Sequence, residues 1–572
     1  MGVLVPEKAD LGGAPPRNDK AQGAVPTPPE IAADLVQWAI RSPEDVVLDA
    51  GAGEGVFTIE AVRRLRELGA ETEDICRNVY AVDEDASSLS VLEQSLKKEG
   101  IPRVNLLRES LFDIGSGLFG PTLPRMDAVI GNPPYVRRWW LRPDVLRLMD
   151  HANLPRLTDL ACHFAMHAAG FLGESGRLAM IITDSWLDTR YGRPFKKFLL
   201  EHFRICSIVG FADRVFDGVL VRPVLLKAER NRRADQELTS FAVLASRPPT
   251  IEPKRGHRPP RIFRIRQSAL SADSSWSTWL YAPPAYFRIA GHKGFVPLSA
   301  LASSRIGFQS FARDFFILSA DRAREMGLKR EYLTSYVYSP RDCPEHYLLR
   351  RSDARQHLFT CNTPIEDVRD EIVRRYIQWG EGLKYKPRGA AAEVLGVHRR
   401  PRIARASREP WYNVKDEIGE RGGCPILVPR RQYVRYRVWL NQDLVPASEN
   451  FIEIKPRQGI DSRLLVAVLA SSFGELNLRV QAHQYGGGVF DLSPGSVSGI
   501  RVPDVRAFPP SSRVRLLEAL STYQTTGERE EIDEALAAVL DIPSDLLRRV
   551  RSACAELRRS ARRVSGRIQS AG

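Results

Sequence analysis

Three short apolar stretches, Val46 to Asp49, Asn78 to Val82 and Met126 to Ile130, stand between turn-forming and charged residues in the N-terminal part of the chain. Their apolar positions are continuous rather than alternating, the pattern of strands covered on both faces in a mostly parallel sheet. Between the first two, Val56 to Leu68 spaces apolar residues three and four apart among good helix formers, which predicts a helix. Strand, turn, helix and strand in that order open an α/β nucleotide-binding unit.

The segments that leave these strands carry the candidate chemistry. The first strand runs into Asp49-Ala50-Gly51-Ala52-Gly53-Glu54-Gly55, where glycines let a ligand approach the backbone and the following helix presents unpaired N–H groups. The spacing is not that of the dinucleotide fingerprint and no Lys-Ser/Thr pair follows, so the expected ligand carries no phosphate that must be gripped. The second strand ends in Asp83, a carboxylate placed to accept from both hydroxyls of a ribose. Glu84 and Asp85 follow, and any one of the three could instead cap a helix. The third strand runs into Asn132-Pro133-Pro134-Tyr135. An Asn side-chain carbonyl and a proline-restrained backbone carbonyl can accept both hydrogens of a planar NH2 group while the aromatic ring stacks on its face. This suits an exocyclic amine or an amide nitrogen, although two prolines also make an ordinary exit from a strand.

Taken together, these residues resemble class I S-adenosylmethionine-dependent methyltransferases, specifically the adenine-N6 DNA methyltransferases with the gamma order of motifs. The resemblance implies a Rossmann-like catalytic domain with a mostly parallel sheet, an α+β target-recognition domain after it, S-adenosylmethionine as cofactor and double-stranded DNA as substrate. It also implies methylation of adenine N6 by base flipping, as the modification part of a restriction-modification or phage-defence system. Cofactor contacts carry over to Thr27, Asp49, Ala50, Gly51, Gly53, Asp83, Glu109 and Asn132. Thr27 lies in Ala24 to Ala32, similar to the family's segment over the methionine end of the cofactor, and is also a good N-cap for a helix opening with Pro28. Glu109 stands where relatives commonly carry Asp followed by an aromatic; here Ser110 follows it and Asp113 is a competing carboxylate. Gly176 to Leu187 is similar to the later strand and the loop bordering the target pocket. The implied catalytic set is Asn132, Pro133, Pro134 and Tyr135. Phe216 takes the place of a ring stacking on the other face of the flipped base, or else belongs to the core. Arg137 and Arg138, with Trp139 and Trp140, neighbour the opened duplex or form a surface turn. Arg305 to Ser310, Pro410 to Tyr412, Pro425 to Pro429, Phe451 to Ile454 and Gln484 to Leu492 resemble parts of the recognition domain.

Composition agrees with a nucleic-acid substrate. The 572 residues are ample for two cores, and a net charge of +14 favours a polyanionic partner. Between Lys384 and Arg437 there are 14 Lys and Arg against 5 Asp and Glu, interleaved with aromatics that include Trp411 and Tyr412, the expected DNA contacts. A solvated charged face is the other reading. Asp541 to Gly572 holds 8 Arg and 3 acids on a helical pattern, a tail that docks on DNA or simply ends the chain. Seven cysteines without paired C-x-x-C spacing point to a reducing compartment and to neither disulfides nor a metal site. No apolar run approaches ~20 residues, so the expected location is the cytoplasm, away from membranes.

The expected organisation is a flexible leader over 1–23, a catalytic domain over 24–245, a linker over 246–260 with five prolines, a recognition domain over 261–510 and a basic helical tail over 511–572. Release-factor glutamine methyltransferases share the tetrapeptide but are shorter, with their extra domain in front. An RNA adenine methyltransferase and a non-catalytic DNA-binding module are further alternatives. The Arg-rich tail shows no carboxylate cluster suited to a nuclease metal, so methylation without cleavage is expected, with any restriction endonuclease a separate chain.

Overall fold

The computed structural model describes residues 26–115, 122–134, 160–211, 222–231, 236–244, 261–345, 347–386, 393–484 and 489–569. Tyr135, Arg137, Arg138, Trp139, Trp140 and Phe216, with the expected leader and linker, lie outside these described residues. The chain divides into two compact units, Met1–Tyr281 and Ala282–Gly572.

In the N-terminal unit, β1 (Val47–Ala50), β2 (Val79–Val82), β3 (Asn105–Leu107), β4 (Met126–Gly131), β5 (Leu172–Thr183), β6 (Phe203–Phe211), β7 (Pro223–Arg230), β8 (Leu238–Leu244) and β9 (Arg261–Arg266) build one sheet. Its nine strands run in the order β3-β2-β1-β4-β5-β7-β6-β8-β9. The first five in that order are mutually parallel, and β7 lies antiparallel between β5 and β6. The continuous apolar runs follow from burial on both faces. In β5, Leu178, Met180 and Ile182 pack into one core layer while Ala179 and Ile181 pack into the other, as side chains alternate across a pleat. Helices α1 (Pro29–Ala39), α2 (Val56–Glu67), α3 (Thr72–Asn78) and α4 (Ala86–Lys98) fill one layer, and α5 (Leu160–Ala169) and α6 (Arg193–His202) the other.

The C-terminal unit is α+β. Its five-stranded sheet has Ile426–Pro429 between Phe451–Pro456 and Trp439–Asn441. Two of the expected boundaries change. β9 pairs with β8 from Leu238↔Arg266 to Val243↔Arg261, so residues 261–266 extend the catalytic sheet and the division falls after Tyr281. A proline-rich stretch marks where the chain leaves a strand, not where its domain ends. Residues 511–569 are no separate tail either. The helices Pro510–Thr526, Glu530–Val539 and Ser544–Gln569 contribute Leu516, Leu520, Ile532, Leu536, Leu546, Val550 and Cys554 to the largest core of this unit.

Candidate functional site

The strand order reverses between β1 and β4, and an open parallel sheet offers a ligand crevice at the carboxyl ends of strands flanking such a reversal. The loop after β1 is anchored to β2, because Gly51 and Ala52 N–H both donate to the Val82 carbonyl at 3.0 Å. Gly53 N–H donates to Asp83 Oδ2 at 2.8 Å, and Asp85 N–H donates to Asp83 Oδ1 at 2.9 Å. Gly51, Gly53 and Gly55 all have positive φ, the conformation for which glycine carries no steric penalty. Gly131 closes the crevice from β4. Its φ is +149°, and a Cβ there would collide with the Ala50 carbonyl, so β1 and the turn into Asn132 approach more closely than any side chain allows.

Asp49 lies beneath this loop, 1 % exposed. Thr58 Oγ1, on α2, donates to its Oδ2 at 2.6 Å. Its Oδ1 is buried with no protein partner among the described residues. Burial pushes this carboxyl up to about 7, repulsion from Asp83 adds to the rise, and the bonds from Thr58 oppose it. The acidic trio after β2 separates by role: Asp83 holds the loop, whereas Asp85 is the N-cap of α4 and accepts from Ser87 and Ser88 N–H.

Asn132 is oriented from outside the sheet. Its Nδ2 donates to Thr27 Oγ1 at 3.0 Å across 105 positions of sequence. Thr27 is buried and does not cap α1, whose N-cap position is Pro28; its hydroxyl serves the Asn132 amide instead. Pro133 is buried and Pro134 half-buried. Glu109 is exposed in the turn after β3. Phe112, three residues on, packs edge-on against Phe164 at 5.8 Å. Sequence reasoning missed Thr58 and Gly131; the signal for Gly131 was a glycine immediately before the Asn of a strand exit.

The residues fit S-adenosylmethionine. Asp49 Oδ1 is a buried acceptor suited to a cationic group, and both Asp83 oxygens retain lone pairs beyond their single backbone bonds. A Cβ on Gly53 would meet nothing within 4 Å, leaving open space above a loop without a phosphate-gripping lysine.

In the C-terminal unit, the expected DNA contact Tyr412 is corrected. It is 1 % exposed, and its hydroxyl donates to the Thr363 carbonyl at 2.8 Å, so it is a core residue. Trp411 packs on Phe315 at 4.9 Å and donates Nε1–H to Glu381 at 3.2 Å. Several arginines in the basic stretches also face inward. Arg400 pairs with Asp314 and Arg408 with Glu417. In the last helix, Arg551 pairs with the buried Asp533 and Arg558 with the buried Glu475.

No helix among the described residues is long and apolar enough to cross a membrane. Residues 78–216 match the family described as Eco57I restriction-modification methylase, and residues 284–541 match the C-terminal domain of type II methyltransferase M.Eco57I. Type II methyltransferase M.AccI of Acinetobacter calcoaceticus is 22% identical over 87% of this chain and 88% of its own length. M.PaeR7I of Pseudomonas aeruginosa is 23% identical over 87% of this chain and 89% of its own. The type IIL restriction-modification enzyme MmeI, solved in complex with DNA, shares the fold with a TM-score of 0.54 at 13% identity, covering 94% of this chain and 75% of that one. With a crevice that fits S-adenosylmethionine in one unit and both matched segments in order along the chain, the protein is an S-adenosylmethionine-dependent methyltransferase similar to those of the Eco57I restriction-modification type.

Proposed function

We propose that this chain methylates the N6 amino group of adenine in double-stranded DNA, as a cytoplasmic enzyme working beside a separate restriction endonuclease. The observation that carries this reading is the Asn132 amide, fixed by Thr27 at the end of β4 and beside the loop after β1. Bound S-adenosylmethionine supplies an electrophilic methyl group on a sulfonium. Asp49 and Asp83 would hold its cationic and ribose parts, Gly51 and Gly53 would admit it, and Glu109 would accept from its adenine amine. The lone pair of adenine N6 is delocalised into the ring, so the task of the protein is to redirect it. Asn132 Oδ1 and the Pro133 carbonyl accept the two N–H bonds, and the nitrogen turns its lone pair toward the methyl carbon. The new N–C bond would form as the C–S bonding pair leaves on the cofactor's sulfur, and the nitrogen would then release its proton to solvent. Tyr135, next in sequence, and Phe216 supply rings for a base flipped out of the duplex at a cost of a few kcal/mol.

The test is to incubate the enzyme with duplex DNA, magnesium and labelled cofactor and to analyse the nucleosides by mass spectrometry. N6-methyladenine in uncut DNA is expected, and Asn132→Ala should abolish it in a protein that still folds. Methylated cytosine, cleavage, or activity retained in Asn132→Ala would overturn the reading.

A further inference from the structure

A cleft of about 500 Å³ opens in the C-terminal unit beside the strand Ala302–Ile306, lined in part by Arg305, Gly307, Gln309, Phe311, Glu417 and Arg421. Its floor is a fixed polar lattice. Arg305 and Arg421 both donate to the buried Glu453 carboxylate, at 2.6 and 3.4 Å, and Arg421 also donates to the Ile306 carbonyl at 2.6 Å. Arg305 uses all three of its nitrogens, the other two donating to the Arg421 and Gly422 carbonyls, whereas Arg421 is held through Nη2 alone. Gly307 has no room for a side chain, since a Cβ would collide with the Ser448 carbonyl, and this close pairing sets the direction in which the next residues leave.

Two side chains of the lining have no such commitment. The Gln309 amide is half-buried and makes no hydrogen bond among the described residues. Phe311 has φ of +63°, a left-handed conformation costly for an aromatic residue and found where surrounding structure enforces it. Its ring is backed by the guanidinium of Arg408 at 5.6 Å and that of Arg402 at 5.9 Å. Arg408 is itself held by Glu417 at 2.8 Å with its side chain 4% exposed. An amide with both ends to offer thus stands two residues from a braced apolar ring.

We propose that this cleft reads the major-groove edge of one A·T pair in the recognition sequence, with the Gln309 amide bonded to adenine N6 and N7 and Phe311 packed on the thymine methyl. A glutamine amide matches adenine's donor and acceptor pair, and Phe matches a thymine methyl, whereas guanine is read by a free Arg or Lys fork. Arg305 is tied down through all three of its nitrogens and offers none, and Arg421 is anchored to the floor through Nη2. The exposed Arg402 stands at the rim for a phosphate contact that positions the duplex without reading it. This inference rests on double-stranded DNA being the substrate.

The test first maps the methylated context by single-molecule sequencing of DNA from cells expressing the protein. Each A·T pair in that context, apart from the target pair, is then replaced with deoxyuridine for thymidine or with 7-deazaadenine for adenine. At one pair, each replacement is expected to raise the wild-type KM roughly tenfold. Phe311→Gly, which suits the left-handed backbone, should be indifferent to deoxyuridine there, and Gln309→Ala indifferent to 7-deazaadenine. Both variants should keep wild-type kcat and cofactor binding. A context without another A·T pair, or replacements that cost wild type and variants alike, would overturn the assignment. If either variant fails to fold, Gln309→Glu and Phe311→Tyr take their place; a folded Gln309→Glu with wild-type KM and base preference overturns it too. A wild-type enzyme that methylates no DNA would instead sink the proposed function.

Discussion

At the scale of single residues, the most consequential group is Asp49, a carboxyl sealed under the loop after β1 with one oxygen unpartnered among the described residues. Its pKa of about 7 means that the unfolded chain has lost a proton between about pH 4 and 7 that the folded chain still holds. Stability therefore falls as pH rises through that window and stays lower above it, by up to about 4 kcal/mol. Asp49→Asn should melt higher than wild type at pH 8 without cofactor and about equally at pH 4, yet lose cofactor affinity at both; calorimetry and equilibrium binding check the two halves. In wild type, affinity should rise with pH through 7 as the buried carboxylate becomes available to pair with the cofactor. Thr27 has a different task. Thr27→Val deletes one of the bonds that orient the Asn132 amide, so kcat should drop about tenfold or more with little change in melting, and Thr27→Ser should restore most of it. The acid after β2 and the Asn after β4 were legible because chemistry at a strand exit depends on residue type. The Thr27–Asn132 bond was not legible, because two residues separated by 105 positions meet only when the sheet is assembled.

At the scale of elements, largely apolar runs identified β1, β2 and β4 to within a residue or so, because most of their positions are buried, the exposed Asp127 of β4 being the exception. The last helix read differently. Its arginines suggested a tail that docks on DNA or simply ends the chain, but Arg558 with Arg529 and Arg479 surrounds Glu475, which is 0% exposed. Burial alone would raise that carboxyl; the bond from Arg558 and the charges of Arg529 and Arg479 more than offset it and hold it below the usual range. Its contribution is present above the unfolded carboxylate pKa and lost as pH falls through the lower folded value. Glu475→Ala should cost about 3–5 kcal/mol by stranding buried guanidinium charge, measurable by denaturant unfolding, and Glu475→Gln should flatten the acid limb of the stability profile. Neither change should alter cofactor binding if the helix acts only as part of its own core.

At the scale of the whole molecule, a net charge of +14 overstates what can meet phosphate. Arg408 is spent on an internal ion pair and on aromatic faces, whereas Arg405 is exposed. Arg405→Ala should weaken DNA binding about equally for all sequences and reduce the slope of log affinity against log salt by about one. Arg408→Ala should lower the melting temperature and leave that slope unchanged, and titrations at several salt concentrations separate the two. Composition could not make this distinction, because a count of charges is blind to which of them face each other. The sequence by itself determined the α/β class and pointed to the glycine loop after β1 and the Asn after β4 as the candidate site, since periodicity and residue type at strand exits are local properties. Only the tertiary structure decided where the catalytic unit ends, that Tyr412 is core, and which arginines are free. Each of these depends on pairing between segments far apart in the chain, which close packing and ion pairing choose and no local pattern encodes.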